Sequence, residues 1–382
     1  MSAHRPSLSP LLKWAGGKRS EIPYLKASYP ASIKRIIEPF SGGAAVAFEA
    51  NPDQVVLNDL SKGLVDFYQT MQHPQKRQAL IKELTGLDQL RKRLKKTVSH
   101  WSESELQSFF KAPTAFIDQH AVMWAGKDWP QEHFDALKKD WMEQAHSKTQ
   151  KRIPALEKKH SMVFSSEENR NHAETALQAG FYTTLRRIYN QQLTVSASLA
   201  TASWWMVRAL CYSGMFRYSK KGDFNVPYGG IAYNTRDFTS SIAHLNSPEM
   251  ADFFSRVQVY ELDFEKLLNA LVLGPGDFIF VDPPYDSNFS QYNPDEGFGP
   301  EEQKRLAQKL KSLSVPWMLV IKNTPFILSL YQDAHLHRAV FAKTYGANFR
   351  NRHSRDVEHL VVSNYPLNYA EEGHCGLLRL EG

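Results

Sequence analysis

Four consecutive residues, Asp282-Pro283-Pro284-Tyr285, combine side-chain types that suit activation of an aromatic amine. The lone pair of such an amine, the exocyclic N6 of adenine for example, is delocalised into the ring and attacks poorly. A carboxylate and a rigidly aimed main-chain carbonyl that accept both N–H hydrogens draw the nitrogen towards tetrahedral geometry and free the pair. Asp282 supplies the carboxylate, and Pro283 and Pro284 stiffen the backbone that carries the carbonyl. Tyr285 offers a flat face on which a base can stack. These four are the candidate catalytic residues, and the chemistry calls for no metal. In isolation the same residues also spell a Pro-Pro turn that stops a strand, with an acid there by chance. The surrounding elements decide between the two.

Those elements alternate in a definite way. Directly before Asp282 stands the apolar run Phe278, Ile279, Phe280, Val281. The tetrapeptide is therefore expected at the carboxyl end of a strand, where open α/β sheets bind ligands. Near the N-terminus, residues 36–40 read as a buried strand, Ser41-Gly42-Gly43 as a tight turn, 44–48 as a helix start, and 55–57 as a second strand ending in Asn58-Asp59. Strand, glycine turn, helix, strand is the βαβ pattern of a doubly wound sheet. Further strands are expected at 257–262, running into Asp263-Phe264, and at 277–281, 317–321, 336–341 and 357–362. Leu306, Leu310 and Leu313 mark an amphipathic helix among them. The expected fold is α/β, a doubly wound Rossmann-like sheet built from residues 1–72 and 250–382. A mainly helical insertion over 73–249 interrupts it.

Within that insertion Leu80, Leu84, Leu87, Leu90 and Leu94 recur at helical spacing and share a face. Arg91, Lys92, Arg93, Lys95 and Lys96 cluster at its end, where either a solvated helix terminus or contact with a polyanion accounts for them. Trp101, Trp124, Trp129 and Trp141 read as core, and the polar stretch 146–172 as a mobile connection. Phe181, Leu185 and Ile188 share another helix face, and a second helical stretch runs through 204–210. The segment 212–228 reads as a hairpin or long loop turning at Lys220-Lys221-Gly222-Asp223.

Composition bounds these readings. A chain of 382 residues with 42% hydrophobic residues can bury a sizeable core and suits about two domains. A net charge of +6 favours a polyanionic partner without establishing one. The two cysteines, Cys211 and Cys375, form neither a disulfide framework nor a metal-ligand spacing, which points to a reducing, cytoplasmic compartment. No apolar run reaches spanning length, so no membrane association is expected.

The order of motifs resembles the Dam-like, D12 class (α-group) DNA N6-adenine methyltransferases. Leu12-Lys13-Trp14-Ala15-Gly16-Gly17-Lys18-Arg19 is similar to the family's N-terminal cofactor motif. Glu38-Pro39-Phe40-Ser41-Gly42-Gly43-Ala44 is similar to its strand-to-helix cofactor loop, with Ala44 where a third glycine often stands. Asn58-Asp59 resembles the acidic end of the second strand, and Glu261-Leu262-Asp263-Phe264 the element beside the cofactor adenine. Asp282 to Tyr285 matches the catalytic tetrapeptide, and the motifs run in family order from residue 11 to 285. The resemblance implies S-adenosylmethionine as cofactor, with Trp14, Lys18, Phe40, Gly42, Gly43, Asp59, Asp263, Phe264 and Asp282 as its contacts. Asp59 follows Gly42 by 17 residues, about the distance at which an acid reaches ribose hydroxyls in dinucleotide folds.

The segment 212–228 resembles the family's DNA-reading hairpin. That resemblance implies double-stranded DNA as partner and Tyr212, Ser213, Met215, Arg217 and Pro227 as DNA contacts. Arg217 is the candidate for a bidentate bond to guanine O6 and N7, against the alternative of a phosphate contact. Tyr212 is the candidate to fill the space an extruded adenine leaves. Ser213 stands where the family usually has Asn, so a GATC recognition sequence does not follow. A cognate restriction endonuclease is a candidate further partner. Methylation of cytosine N4 or of RNA adenine, and a silent DNA-binding module, are the alternatives. Cytosine enzymes more often carry Ser before the Pro-Pro pair.

Overall fold

The computed structural model describes residues 5–12, 14, 16–126, 129–284, 298–344, 356–370 and 376–380. Tyr285, and Lys13 and Ala15 of the N-terminal motif, lie outside the described residues, as does Cys375. The chain folds as two compact units, Met1–Gln72 with Ala251–Gly382, and His73–Met250.

The first unit is built on one eight-stranded sheet. In chain order its strands are β1 (Arg35–Glu38), β2 (Gln54–Asn58), β3 (Val257–Tyr260), β4 (Asp277–Val281), β5 (Trp317–Lys322), β6 (His337–Thr344), β7 (Asp356–Ser363) and β8 (Leu378–Arg379). Their spatial order is β3-β2-β1-β4-β5-β7-β6-β8. The pairs β1/β2, β2/β3, β1/β4 and β4/β5 are parallel, while β7 runs antiparallel to both β5 and β6. Parallel strands need crossovers that cover the sheet, so these strands read as continuous apolar runs, and all of β4 is buried. The helices Ala45–Ala50, Phe264–Ala270 and Pro300–Lys311 follow β1, β3 and β4. Leu267, Leu306 and Leu310 from two of them pack on Ile37, Val56, Ile279 and Leu319 of the sheet.

This order creates a switch point. From β1 the chain moves outward to β2 and β3, then returns to the other side of β1 as β4. The crossovers from β1 and from β4 therefore diverge, and a crevice opens beyond their carboxyl ends. Residues 39–43 follow β1 and Asp282 follows β4, so the two segments flank it.

The second unit is helical. Its long helix Pro74–Ser99 buries Leu80, Leu84, Leu87, Leu90 and Leu94, as the spacing predicts. Trp101, Trp124, Trp129 and Trp141 are likewise core. Most of the basic cluster is consumed internally. Arg91 is buried and donates to the carbonyls of Arg236 and Tyr233. Lys92 bridges Asp88 and Asp237 at 2.7 and 2.9 Å, and Arg93 donates to the carbonyls of Trp124 and Ala125. The expectation of a mobile connection over 146–172 is corrected. The helix Phe134–Ser147 continues through a π turn at Lys148–Arg152 into Ile153–His160, and Ser166–Tyr189 begins on a capping box between Ser165 and Glu168. Lys, Glu and Gln are good helix formers, so a polar stretch can be helical when buried side chains such as Thr149 and Ile153 anchor it.

Candidate active site

The glycine turn after β1 is held by its neighbours. Ser41 N–H donates to the Asn58 carbonyl at 2.8 Å. Gly42 N–H donates to Asp59 Oδ2 at 3.0 Å, and the Gly42 carbonyl accepts from the buried Tyr68 hydroxyl at 2.7 Å. Gly42 has φ +45, and a Cβ there would lie 2.7 Å from the Trp14 indole, so backbone conformation and space both demand glycine. Ala44, the departure from a three-glycine pattern, also sits in the left-handed region at φ +50, a conformation costing a non-glycine residue about 1–2 kcal/mol. Asn58 joins three strand ends: its amide donates to the carbonyls of Pro39 and Leu262, and its carbonyl accepts from Leu262 N–H.

Trp14, Lys18, Phe40, Gly42, Gly43 and Asp282 line one cleft with Glu38 and Phe280. Sequence readings separated by up to 264 residues thus meet at the switch point, where Lys18 Nζ donates to Asp282 Oδ1 at 2.5 Å. The Asp282 side chain is 20% exposed, whereas that of Lys18 is 2% exposed. The Lys18 ammonium also donates to the Gly16 carbonyl at 2.9 Å, so its contacts face the protein as well as the cleft. Burial pushes the Asp282 carboxyl up to about 6 against the opposing pull of Lys18. Burial also pushes Glu38 up to about 8, although its Oε1 accepts from Ala47 N–H at 2.6 Å. After Asp282, the Pro284 carbonyl accepts from the amide of buried Gln303 at 2.9 Å, which pins the start of the tetrapeptide to the helix Pro300–Lys311.

Asp263 and Phe264 form an adjoining corner. The Phe264 ring lies 5.5 Å from Phe40 and 5.8 Å from Phe298. Asp263 caps the helix Phe264–Ala270 through Glu265 N–H and Lys266 N–H, and pairs with Arg305 at 2.6 Å. Burial acts to raise the Asp263 carboxyl, but the Arg305 bonds outweigh it and hold the group below its ordinary value. The Arg305 guanidinium lies 4.5 Å over the Phe264 ring. Sequence reading named Asn58, Asp263 and Phe264 but not Arg305, Gln303 or Tyr68. Each of the last three acts on a partner distant in the chain, and nothing in its local spacing marks it.

In the helical unit, segment 212–228 is a hairpin with two isolated bridges, Cys211 to Tyr228 and Tyr218 to Phe224. Its returning strand is tied to the helix Ser166–Tyr189: Tyr182 donates to the Val226 carbonyl at 2.7 Å, and Asn190 Oδ1 accepts from Phe224 N–H at 2.9 Å. Tyr212, Ser213, Met215, Arg217 and Pro227 are all exposed. Arg217 donates from Nε to Asn225 Oδ1 at 2.6 Å and from Nη2 to the Asn225 carbonyl at 3.0 Å. This uses the Nε/Nη2 edge of the exposed residue's guanidinium and leaves over its outer Nη1/Nη2 edge. Ser213 lies at φ +55, with its N–H donating to the Tyr233 hydroxyl at 2.9 Å. Asn is better suited than Ser to that conformation.

No helix among the described residues is long and apolar enough to cross a membrane. Comparison with known proteins agrees with the geometry. The chain is 24% identical over 378 residues to a type II methyltransferase of Lactococcus lactis subsp. cremoris, covering 96% of this chain and 98% of the relative. It is 23% identical over 364 residues to a type II methyltransferase of Paramecium bursaria Chlorella virus NC1A, covering 94% and 100%. It is 22% identical over 333 residues to the retron Ec67 DNA adenine methylase of Escherichia coli, covering 86% and 83%. The family model of the D12 class N6 adenine-specific DNA methyltransferases matches residues 14–115 and 133–342. Carrying that match over most of its length, the chain belongs to the D12 class N6 adenine-specific DNA methyltransferases, and its activity is methylation of adenine in DNA.

Proposed function

We propose that the enzyme acts on adenine extruded from double-stranded DNA, takes its methyl group from S-adenosylmethionine, and reads a specific sequence through the 212–228 hairpin. The observation that carries this reading is Asp282, a partly exposed carboxylate at the switch-point cleft, opposite a glycine turn with no room for side chains. The cleft fits a nucleoside-bearing donor. Gly42 and Gly43 let the backbone approach it, Asp59 offers an anion for ribose hydroxyls beside the turn, and Phe40, Phe264 and Asp263 make an aromatic and acidic corner for its base. Trp14 and Lys18 would hold the remainder. When bound, the donor supplies an electrophilic methyl group on a sulfonium.

The chain's own residues then do the rest. Asp282 accepts one N6 hydrogen and a carbonyl of the tetrapeptide the other, with Tyr285 stacking on the base. Extrusion costs on the order of a few kcal/mol, which that stacking and Tyr212, filling the vacated space, partly offset. Arg217 presents its outward edge to guanine, and Met215, Pro227 and Ser213 contact neighbouring bases. The two-cysteine composition suits a cytoplasmic setting.

Transfer of labelled methyl from S-adenosylmethionine to duplex DNA tests the reading, with N6-methyladenine as the product and its flanking sequence read out. Asp282→Ala should abolish transfer by roughly 10²-fold or more while the protein still folds. Substantial turnover by that variant would remove Asp282 from the chemistry. Methylation without sequence preference would remove the hairpin from its reading role.

A further inference from the structure

The Asp282 carboxylate ends a line of buried charge that the methylation mechanism does not use. Lys18, in the turn Lys18–Ser20, donates to Asp282 Oδ1 at 2.5 Å. On its other side stands Glu21, with Oε2 3.9 Å from the same ammonium. Glu21 Oε2 in turn lies 3.3 Å from Nδ1 of His359, which is on β7. The side chains of Glu21 and His359 are 1% and 0% exposed, and neither lines the cleft. The ring edge of Phe341 on β6 packs against His359 at 5.2 Å and contributes no charge. Lys18, Glu21, His359 and Glu38 are among the charged and titratable groups that act on Asp282.

A buried carboxylate is costly unless partnered, and its retention beside the active acid asks for a reason. Lys18 meets two anions. Were it paired with Asp282 alone, so short an ion pair would leave that carboxylate weakly basic and a poor acceptor for the N6 proton. An anion on the far side of the same ammonium draws on the shared cation and adds negative potential, which restores basicity to Asp282. We propose that Glu21 is a positioning residue that sets the basicity of Asp282 through their shared partner Lys18. The proposal rests on Asp282 as the N6 acceptor. Burial pushing the Asp282 carboxyl up to about 6, with Glu21 adding to the rise, is in keeping with it.

The test is the pH dependence of kcat for the full-length enzyme and its Glu21→Gln and Glu21→Asp variants. KM for S-adenosylmethionine and for duplex DNA is measured alongside. Glu21→Gln should move the acid limb of kcat to lower pH by about one unit, because Asp282 then no longer shares the Lys18 ammonium with that anion. Its plateau should fall about tenfold, as a weaker base transfers the proton less well, with both KM values within about twofold of wild type. Glu21→Asp should recover part of both effects. An acid limb that coincides with wild type in Glu21→Gln, or a loss that appears only as higher KM, overturns the proposal. If Glu21→Gln does not fold, Glu21→Asp decides: an acid limb that is not moved to lower pH overturns the proposal. Asp282→Asn separates the two levels: wild-type activity there overturns the assignment of Asp282 itself, whereas an inactive Asp282→Asn beside an unshifted Glu21→Gln overturns only the role of Glu21.

Discussion

Glu38 shows how burial, rather than residue type, sets the protonation of this site. Its carboxyl lies at the end of β1 with one oxygen bonded to Ala47 N–H, and burial pushes it from 4.5 to about 8. It is therefore held neutral at neutral pH. A carboxyl whose folded value lies above its unfolded one contributes its stability in full below about 4.5 and loses it as pH rises through about 8. Glu38→Gln keeps the acceptor for Ala47 and removes the titration. Denaturant midpoints at several pH values should show wild type losing stability relative to Glu38→Gln by about 1.4 kcal/mol per unit between those limits. Parallel curves would mean that Glu38 ionises freely. Sequence reading placed Glu38 in a motif but had no means of assigning its proton. The place of Asp282, by contrast, was legible, because an apolar run stopped by two prolines puts the acid before them at a strand end.

The elements were read unevenly. Strands and the glycine turn were legible because a buried parallel strand is a short apolar run with abrupt ends, and Gly42 marks a sharp turn. The stretch 146–172 was not, since polarity resembles a loop when the anchoring burial comes from helices elsewhere in the chain. Gly180 illustrates such an anchor. A Cβ there would lie 2.7 Å from Trp141 Cα, so the helices Phe134–Ser147 and Ser166–Tyr189 approach at a point only glycine permits. Helix propensity alone would make Gly180→Ala stabilising by about 1 kcal/mol. Overpacking against backbone should prevail, giving a net loss of about 1–3 kcal/mol in chemical denaturation. A rise in stability would show that the crossing can open at little cost. The basic helix end was equally ambiguous in sequence, and pairing decided it: Arg91, Lys92 and Arg93 bond within the helical unit.

At the scale of the molecule, the cleft belongs to one compact unit and the hairpin to the other. The proposed chemistry and the proposed reading are therefore separable by mutation. Arg217→Ala should relax discrimination at one guanine by about 1–3 kcal/mol, measured as the ratio of kcat/KM between cognate and substituted sites. Binding of S-adenosylmethionine, followed by calorimetry, should stay unchanged. Equal loss on all sequences, with a salt slope reduced by about one, would instead make Arg217 a phosphate contact.

What the sequence determined by itself is local: which residues end strands, where the glycine turn falls, the order of the motifs and the interruption of the sheet by a helical stretch. Each follows from side-chain types within a few positions of one another. Only the tertiary structure decided which of those ends become neighbours. The bond from Lys18 to Asp282 spans 264 residues and that from Asn58 to Leu262 spans 204. Strand order brings both about, and with them the burial that lifts Asp282 and Glu38. Proton affinity depends on solvent exclusion and on the charges within a few ångströms, and both are set by contacts between segments far apart in the chain.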